Sequence, residues 1–82
     1  MLKIVPINVD EIYIPAARRS ELNQSQLDAI TENMLNGQAQ KPIKVRTGKG
    51  RFVLIEGVHR LEASKALGEA EISAYIVQAP KF

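Results

Sequence analysis

The sequence contains no cysteine and no tryptophan, and none of its apolar runs has the length that crosses a membrane. The absence of cysteine excludes disulfides, thiolate metal sites and cysteine nucleophiles. A membrane-spanning helix needs about 20 consecutive apolar residues, and the N-terminus lacks the pattern of a signal peptide, so we expect a cytoplasmic protein. The 82 residues, 45% hydrophobic and 24% charged, are typical of one soluble domain that spans residues 1–82.

Aromatic residues are also scarce, at 5% of the chain. Tyr13, Phe52, Tyr75 and Phe82 are expected in the core or at the chain end. Stacking of nucleic-acid bases needs an exposed aromatic platform, and readout of a duplex commonly uses a recognition helix. The sequence indicates neither, so it gives no support for base-specific recognition.

Acidic residues are absent from residues 41–51, a segment with five basic residues. Residues 1–40 hold three basic and five acidic residues (net charge −2), and residues 41–82 hold eight and four (net charge +4). A local positive patch favours polyanionic partners, whereas the alternative is a solvated hairpin whose lysines protect a sheet edge. The candidate contacts to a nucleic-acid backbone are Lys44, Arg46, Lys49 and Arg51.

Hydrophobic patterning predicts an α/β (α+β) domain with a small mixed sheet, two main helices and the order β-β-α-β-β-α-β. The continuous apolar run Phe52–Ile55 predicts a central strand covered on both faces, and Thr47–Gly50 predicts the hairpin turn before it. Ala16–Asn23 is a predicted polar connector. The other predicted strands are Ile4–Val9, Ile12–Ile14, a strand that Pro42 opens, and Ile72–Val77.

The first helix is predicted at Gln26–Asn36. Ser25 is its expected N-cap, because serine accepts hydrogen bonds from the first helical N–H groups. Gly37 is its expected terminator, because glycine adopts the left-handed conformation that ends helices. The apolar face of this helix is formed by Leu27, Ile30 and Met34.

The second helix, predicted at Val58–Leu67 between Gly57 and Gly68, begins with basic residues. A helix N-terminus exposes unpaired N–H groups and the positive end of the helix dipole, so cations are unfavourable there. His59 and Arg60 therefore indicate an anionic ligand, since phosphate binds readily at such ends. The alternative is a surface helix that happens to start with two basic residues.

Glu56 precedes this turn. As an oxygen ligand it is a candidate for binding Mg²⁺ or activating water, with His59 as an acid–base group. The alternative is a solvated carboxylate or an ion pair with Arg60.

Several segments together resemble the ParB N-terminal domain family, which shares its fold with sulfiredoxin. The resemblance extends from about Ile4 to Val77, and its most specific part is the glycine turn with the basic motif at Gly57–Ala63. The segments that carry it are Ile14–Arg19, Leu27–Gly37, Gln40, Pro42–Arg46, Phe52–Ala63 and Ala66–Gly68.

In that family the motif binds nucleotide phosphates at the helix N-terminus. ParB proteins bind and hydrolyse CTP and clamp DNA, sulfiredoxin binds ATP, and some members are described as nucleases. The resemblance implies a nucleoside triphosphate (CTP or ATP) with Mg²⁺, contact with DNA directly or through other segments, a homodimer, and a role in DNA partition, plasmid maintenance or transcriptional regulation. The phosphate-binding residues that it implies are Gly57, Val58, His59, Arg60, Arg18 and Arg19.

The Gly57–Arg60 motif departs from the family pattern in two ways that bear on the expected activity. Val58 stands where sulfiredoxin chemistry needs a cysteine, which excludes that reaction. Gly57–Arg60 has the sequence G-V-H-R, whereas partition-type ParB carries G-E-R-R. Full ParB proteins continue into a helical domain, so we expect an excised domain or a stand-alone module.

Two other hypotheses remain open. One is a metal-dependent nuclease or nucleotide hydrolase with Glu56 and His59 as catalytic residues and Glu56 as a metal ligand. The other is a non-catalytic protein-interaction module that docks through a sheet edge or through the first helix.

Overall fold

The computed structural model describes residues 3–77, which form a five-stranded mixed sheet with helices packed on it. A 3-10 turn, Val9–Glu11, joins the first two strands. The mixed α/β class predicted from the sequence is confirmed, while Phe82 lies outside the described residues. The elements in chain order are β1 (Ile4–Asn8), β2 (Ile12–Tyr13), α1 (Ala16–Arg19), α2 (Gln24–Leu35), β3 (Ile43–Gly48), β4 (Arg51–Glu56), α3 (Val58–Ala66) and β5 (Glu71–Ile76).

The strands lie in the order β1-β5-β3-β4-β2. The pairs β1–β5 and β3–β4 are antiparallel, and the pairs β3–β5 and β2–β4 are parallel. The predicted hairpin is confirmed: β3 and β4 are joined by Lys49-Gly50, where Gly50 has φ +68°.

The core lies on one face of this sheet. Ile43 and Val45 of β3 are fully buried there with Leu54 of β4, beneath Leu61 of α3. α2 in turn packs against α3. Because side chains alternate along a strand, the residues of β3 between and beyond these apolar positions lie on the opposite face, which we call the open face.

β4 is an inner strand, as its apolar run predicts, and its adjacent residues Val53 and Leu54 are both buried. β3 takes the centre, and β4 lies between β3 and the edge strand β2. The run is not covered throughout, because Ile55 is 36% exposed. A β-bulge accounts for this: Lys44 pairs with Glu56 while Val45 pairs with Leu54, so Ile55 is an extra residue in β4.

The N-cap of α2 is Asn23 rather than the predicted Ser25. The Asn23 backbone is extended (φ −125°, ψ 125°), and its side-chain oxygen accepts a hydrogen bond from the Gln26 N–H at 3.1 Å. The helix therefore starts two residues earlier than predicted, and Ser25 falls within its first turn. At the other end Gly37, with φ +80°, is the terminator that the sequence predicts.

The predicted connector Ala16–Asn23 contains the short helix α1. The Pro15 carbonyl accepts hydrogen bonds from the N–H groups of Arg18 and Arg19, both at 2.9 Å. Alanine and arginine are good helix formers, so one turn forms directly after the proline. Across residues 3–77, none of the helices combines the length and apolarity needed to cross a membrane.

Asn23→Ala is expected to lower the free energy of unfolding by about 1 kcal/mol, because the Gln26 N–H loses its acceptor. Ser25→Ala removes the cap that the sequence predicts, and it is expected to change stability by less than about 0.5 kcal/mol. Urea unfolding followed by circular dichroism measures both. Equal losses in the two variants would contradict the Asn23 cap.

Candidate functional site

The glycine turn between β4 and α3 packs closely against β3. Gly57 has φ +111°, and a Cβ atom placed on it would lie 2.5 Å from Cγ2 and 2.9 Å from Cβ of Ile43. The Leu61 N–H donates to the Gly57 carbonyl at 3.0 Å and begins the helical hydrogen bonds of α3. The N–H groups of the three residues before Leu61 precede that ladder and have no helical acceptor.

His59 joins this turn to the start of α2. Its Nε2 accepts a hydrogen bond from the Asn23 N–H at 2.9 Å, so Nδ1 carries the proton in this arrangement. Asn23 is also the N-cap of α2. The N-termini of α2 and α3 therefore meet at one corner of the molecule, and their dipoles add positive potential there.

Arg60 is held by main-chain carbonyls. Its Nη1 donates to the Lys41 carbonyl at 2.8 Å and to the Pro42 carbonyl at 3.0 Å. A guanidinium has five N–H donors, so the Nε and Nη2 groups remain for a further acceptor. The side chain also borders two clefts, of about 360 Å³ and 390 Å³.

Glu56 pairs with Lys44 and not with Arg60, the partner named among the alternatives for this carboxylate. Its carboxylate lies 3.3 Å from the Lys44 ammonium, and both side chains are largely exposed. Within residues 3–77, no group of three or more histidine, aspartate or glutamate side chains could hold a metal ion. The assignment of Glu56 as a metal ligand, and of Glu56 and His59 as catalytic residues, stays a prediction.

The two arginines of α1 are placed differently. Arg18 forms an ion pair with Glu21 at 3.1 Å and borders a cleft of about 330 Å³ with Arg46 and the end of β4. Arg19 is exposed. Their proposed contact with a phosphate at the Gly57 turn stays a prediction.

The basic residues of the hairpin lie on or beside the open face. Lys44 and Arg46 alternate with the core residues of β3, and Lys49 is in the turn. The Arg51 guanidinium stacks 4.0 Å from the centre of the Tyr13 ring. Tyr13, expected in the core, is 44% exposed because it belongs to the edge strand β2 and faces the open side.

Sequence reasoning missed the partners of the site residues, which are the Asn23 N–H for His59 and the Lys41 and Pro42 carbonyls for Arg60. Asn23 could have been found, because asparagine is among the strongest N-cap residues. The hydrogen bonds of His59 and Arg60 join residues far apart in the chain, and no local pattern signals them.

The family model of the ParB N-terminal domain matches residues 2–81 of this sequence. The chain therefore belongs to the ParB N-terminal domain family. It is 37% identical over 71 residues to a probable chromosome-partitioning protein ParB from Campylobacter jejuni, an alignment that covers 85% of this chain and 26% of that protein. The chain thus spans about a quarter of the length of this relative.

Two solved structures are similar to this chain. Sulfiredoxin from Arabidopsis thaliana has a TM-score of 0.80 at 26% identity, with 94% of this chain and 86% of that chain covered. The C-terminally truncated chromosome-partitioning protein ParB from Caulobacter crescentus, complexed with CTP-γ-S, has a TM-score of 0.81 at 14% identity, with 96% and 46% covered. Both likenesses support the ParB/sulfiredoxin fold that the sequence predicts.

Proposed function

We propose that this chain binds the phosphate groups of a nucleoside triphosphate at Gly57–Arg60, as the N-terminal domain of a protein of DNA partition. The observation that carries the proposal is the meeting of two helix N-termini, joined by the hydrogen bond from the Asn23 N–H to His59. Unpaired N–H groups and two dipole ends favour one anion at this corner.

Arg60 supplies the charge that a phosphate needs. The bonds from Nη1 to two carbonyls fix the guanidinium before any ligand arrives, which lowers the entropy lost on binding. Its Nε and Nη2 then donate to phosphate oxygens in the paired geometry that arginine favours. Gly57 allows close approach because it has no side chain at the turn.

CTP is the nucleotide that we propose, with ATP as its rival. The Caulobacter ParB of the same fold holds CTP-γ-S, and the Campylobacter relative is a probable partition protein. The proposal extends to a homodimer and to DNA contact within a longer protein. Plasmid maintenance and transcriptional regulation are the alternative settings for the same site.

Among residues 3–77 the chain has no preformed magnesium site. The Glu56 carboxylate beside the turn is paired with Lys44, and Mg²⁺ usually combines one or two carboxylates with phosphate oxygens, so Glu56 as its ligand stays a prediction. We therefore derive no catalytic step through a metal. The enzyme hypothesis requires Mg²⁺-dependent turnover that Glu56→Gln abolishes.

A two-dimensional NMR titration of the ¹⁵N-labelled chain with CTP and ATP, each with and without Mg²⁺, tests the phosphate site. Shifts are expected at Val58–Leu61 and Asn23–Gln24, with saturation at lower concentration for CTP. Sodium chloride at the same ionic strength is the control for non-specific ionic effects. An absence of shifts with every nucleotide would refute the site and favour the protein-interaction module.

A further inference from the structure

The C-terminal end of α2 carries an asparagine that is followed directly by a glycine. Asn36 is the C-cap residue of this helix, and Gly37 is its terminator. The sequence has three other asparagines, Asn8, Asn23 and Asn33, and none of them precedes a glycine. In deamidation the backbone nitrogen of the next residue attacks the asparagine side chain, and glycine hinders that attack least because it has no side chain. Asn36 is therefore the asparagine of this sequence that deamidates most readily.

The surroundings of this pair leave space for the reaction. Asn36 and Gly37 are both exposed to solvent. No atom lies within 4 Å of the position that a Cβ atom on Gly37 would occupy. Water and hydroxide, which the reaction needs, therefore reach the pair directly.

Two main-chain hydrogen bonds hold the pair in an unreactive geometry. The Gly37 N–H donates to the Met34 carbonyl and the Gln38 N–H donates to the Asn33 carbonyl, both at 3.0 Å, which is the pattern of a Schellman motif. The nitrogen that would attack is thus engaged as a donor. The Asn36 ψ of 6° also eclipses this nitrogen with the backbone nitrogen of Asn36 and turns it away from the side-chain carbon. The last turn of α2 must therefore open before the reaction proceeds.

We propose that Asn36-Gly37 is a site of spontaneous deamidation whose rate is set by the opening of this Schellman motif. In the open turn the Gly37 nitrogen loses its proton to hydroxide and bonds to Cγ of Asn36. The side-chain nitrogen takes up a proton from water and leaves as ammonia, which gives a five-membered succinimide. Water then opens the ring at one of its two carbonyls and gives either aspartate or isoaspartate. Water is the only co-reactant consumed.

Both products change the end of α2. Aspartate places a negative charge at the negative end of the helix dipole. Isoaspartate adds one atom to the main chain, so the Schellman motif can no longer close in the same geometry. The segment that follows leads to the Lys41 and Pro42 carbonyls that hold Arg60, and Gly37 borders the same cleft as Arg60. The modification thus alters a wall of this cleft, whether or not the proposed nucleotide binds there.

The test follows deamidation of the whole chain at mildly basic pH, both folded and unfolded in guanidinium chloride. Peptide mass spectrometry locates the modified residue, and methyl transfer by an isoaspartate-specific methyltransferase measures isoaspartate. Asn36 is expected to react before Asn8, Asn23 and Asn33. The folded chain is expected to react about 10- to 100-fold more slowly than the unfolded chain, because two hydrogen bonds must first open.

Two variants of Gln38 separate the Schellman motif from the reacting pair. Gln38→Pro removes the N–H that bonds to the Asn33 carbonyl and leaves Asn36-Gly37 intact, so it is expected to speed the reaction of the folded chain severalfold. Gln38→Ala is the matched control, because it keeps the N–H and is expected to leave the rate unchanged. Circular dichroism checks that both variants are folded.

The outcomes that would overturn the proposal are distinct. Earlier deamidation of another asparagine would overturn the site. Equal rates in the folded and the unfolded chain would overturn the control by the Schellman motif, and so would equal rates in folded Gln38→Pro and Gln38→Ala.

Discussion

Replacing Gly57 with alanine is expected to lower the free energy of unfolding by about 3 kcal/mol. Two costs combine at this position. The φ of +111° lies in the region that favours glycine, and the new Cβ would meet Ile43 at 2.5 Å. Ile43 is fully buried in the central strand, so it has little room to move aside. Urea unfolding of the wild type and the variant measures the loss.

Gly68→Ala separates the two costs. Gly68 ends the same helix with φ +76°, and nothing lies within 4 Å of the position that a Cβ would occupy. The free energy of unfolding of this variant should fall by only about 1 kcal/mol, which is the cost of a positive φ for alanine. If both variants lost the same free energy of unfolding, the steric contact between the turn and Ile43 would make no contribution to stability.

Replacing Arg60 with alanine is expected to weaken nucleotide binding about 10- to 100-fold, since hydrogen bonds to charged groups contribute about 1.5–3 kcal/mol. Stability should also fall by about 1 kcal/mol, because the Lys41 and Pro42 carbonyls lose their donor. Isothermal titration calorimetry with CTP gives the affinity, and urea unfolding gives the stability. The affinity is to be measured where the variant is still fully folded.

Two further variants make this result specific. Lys65→Ala removes one positive charge from the far end of α3 and should change nucleotide affinity less than about twofold, because exposed charges are screened. Arg60→Lys keeps the charge but loses the planar fork, so its affinity should lie between those of wild type and Arg60→Ala. An Arg60→Ala affinity equal to that of Lys65→Ala would refute the phosphate site.

The hairpin and the second helix follow from local sequence signals. Alternation in β3 and the glycine at Gly50 define the hairpin, while Gly57 and Gly68 bracket α3. The capping error at α2 has a physical cause, because Asn23 and Ser25 are both good N-cap residues and only the observed backbone selects between them.

The partners of the site residues could not be predicted in the same way. His59 bonds to a residue 36 positions earlier, and Arg60 bonds to carbonyls 18 and 19 positions earlier. Such contacts depend on how α2 and β3 pack on α3, which no local spacing encodes. Glu56 illustrates the difference: Arg60 is its closer candidate in sequence, but the sheet register gives it Lys44.

The bulge at Ile55 also determines which changes in chain length the fold tolerates. In a regular strand Glu56 would share the core side with Leu54, and the extra residue is what turns its carboxylate toward solvent. The hairpin can gain or lose residues in cross-strand pairs at its Lys49-Gly50 tip without altering this alternation. A single insertion or deletion between Leu54 and Gly57 moves the β4 side chains that follow it to the opposite face of the sheet. Relatives of this domain should therefore vary in length at the hairpin tip and keep the same number of residues between the positions of Leu54 and Gly57.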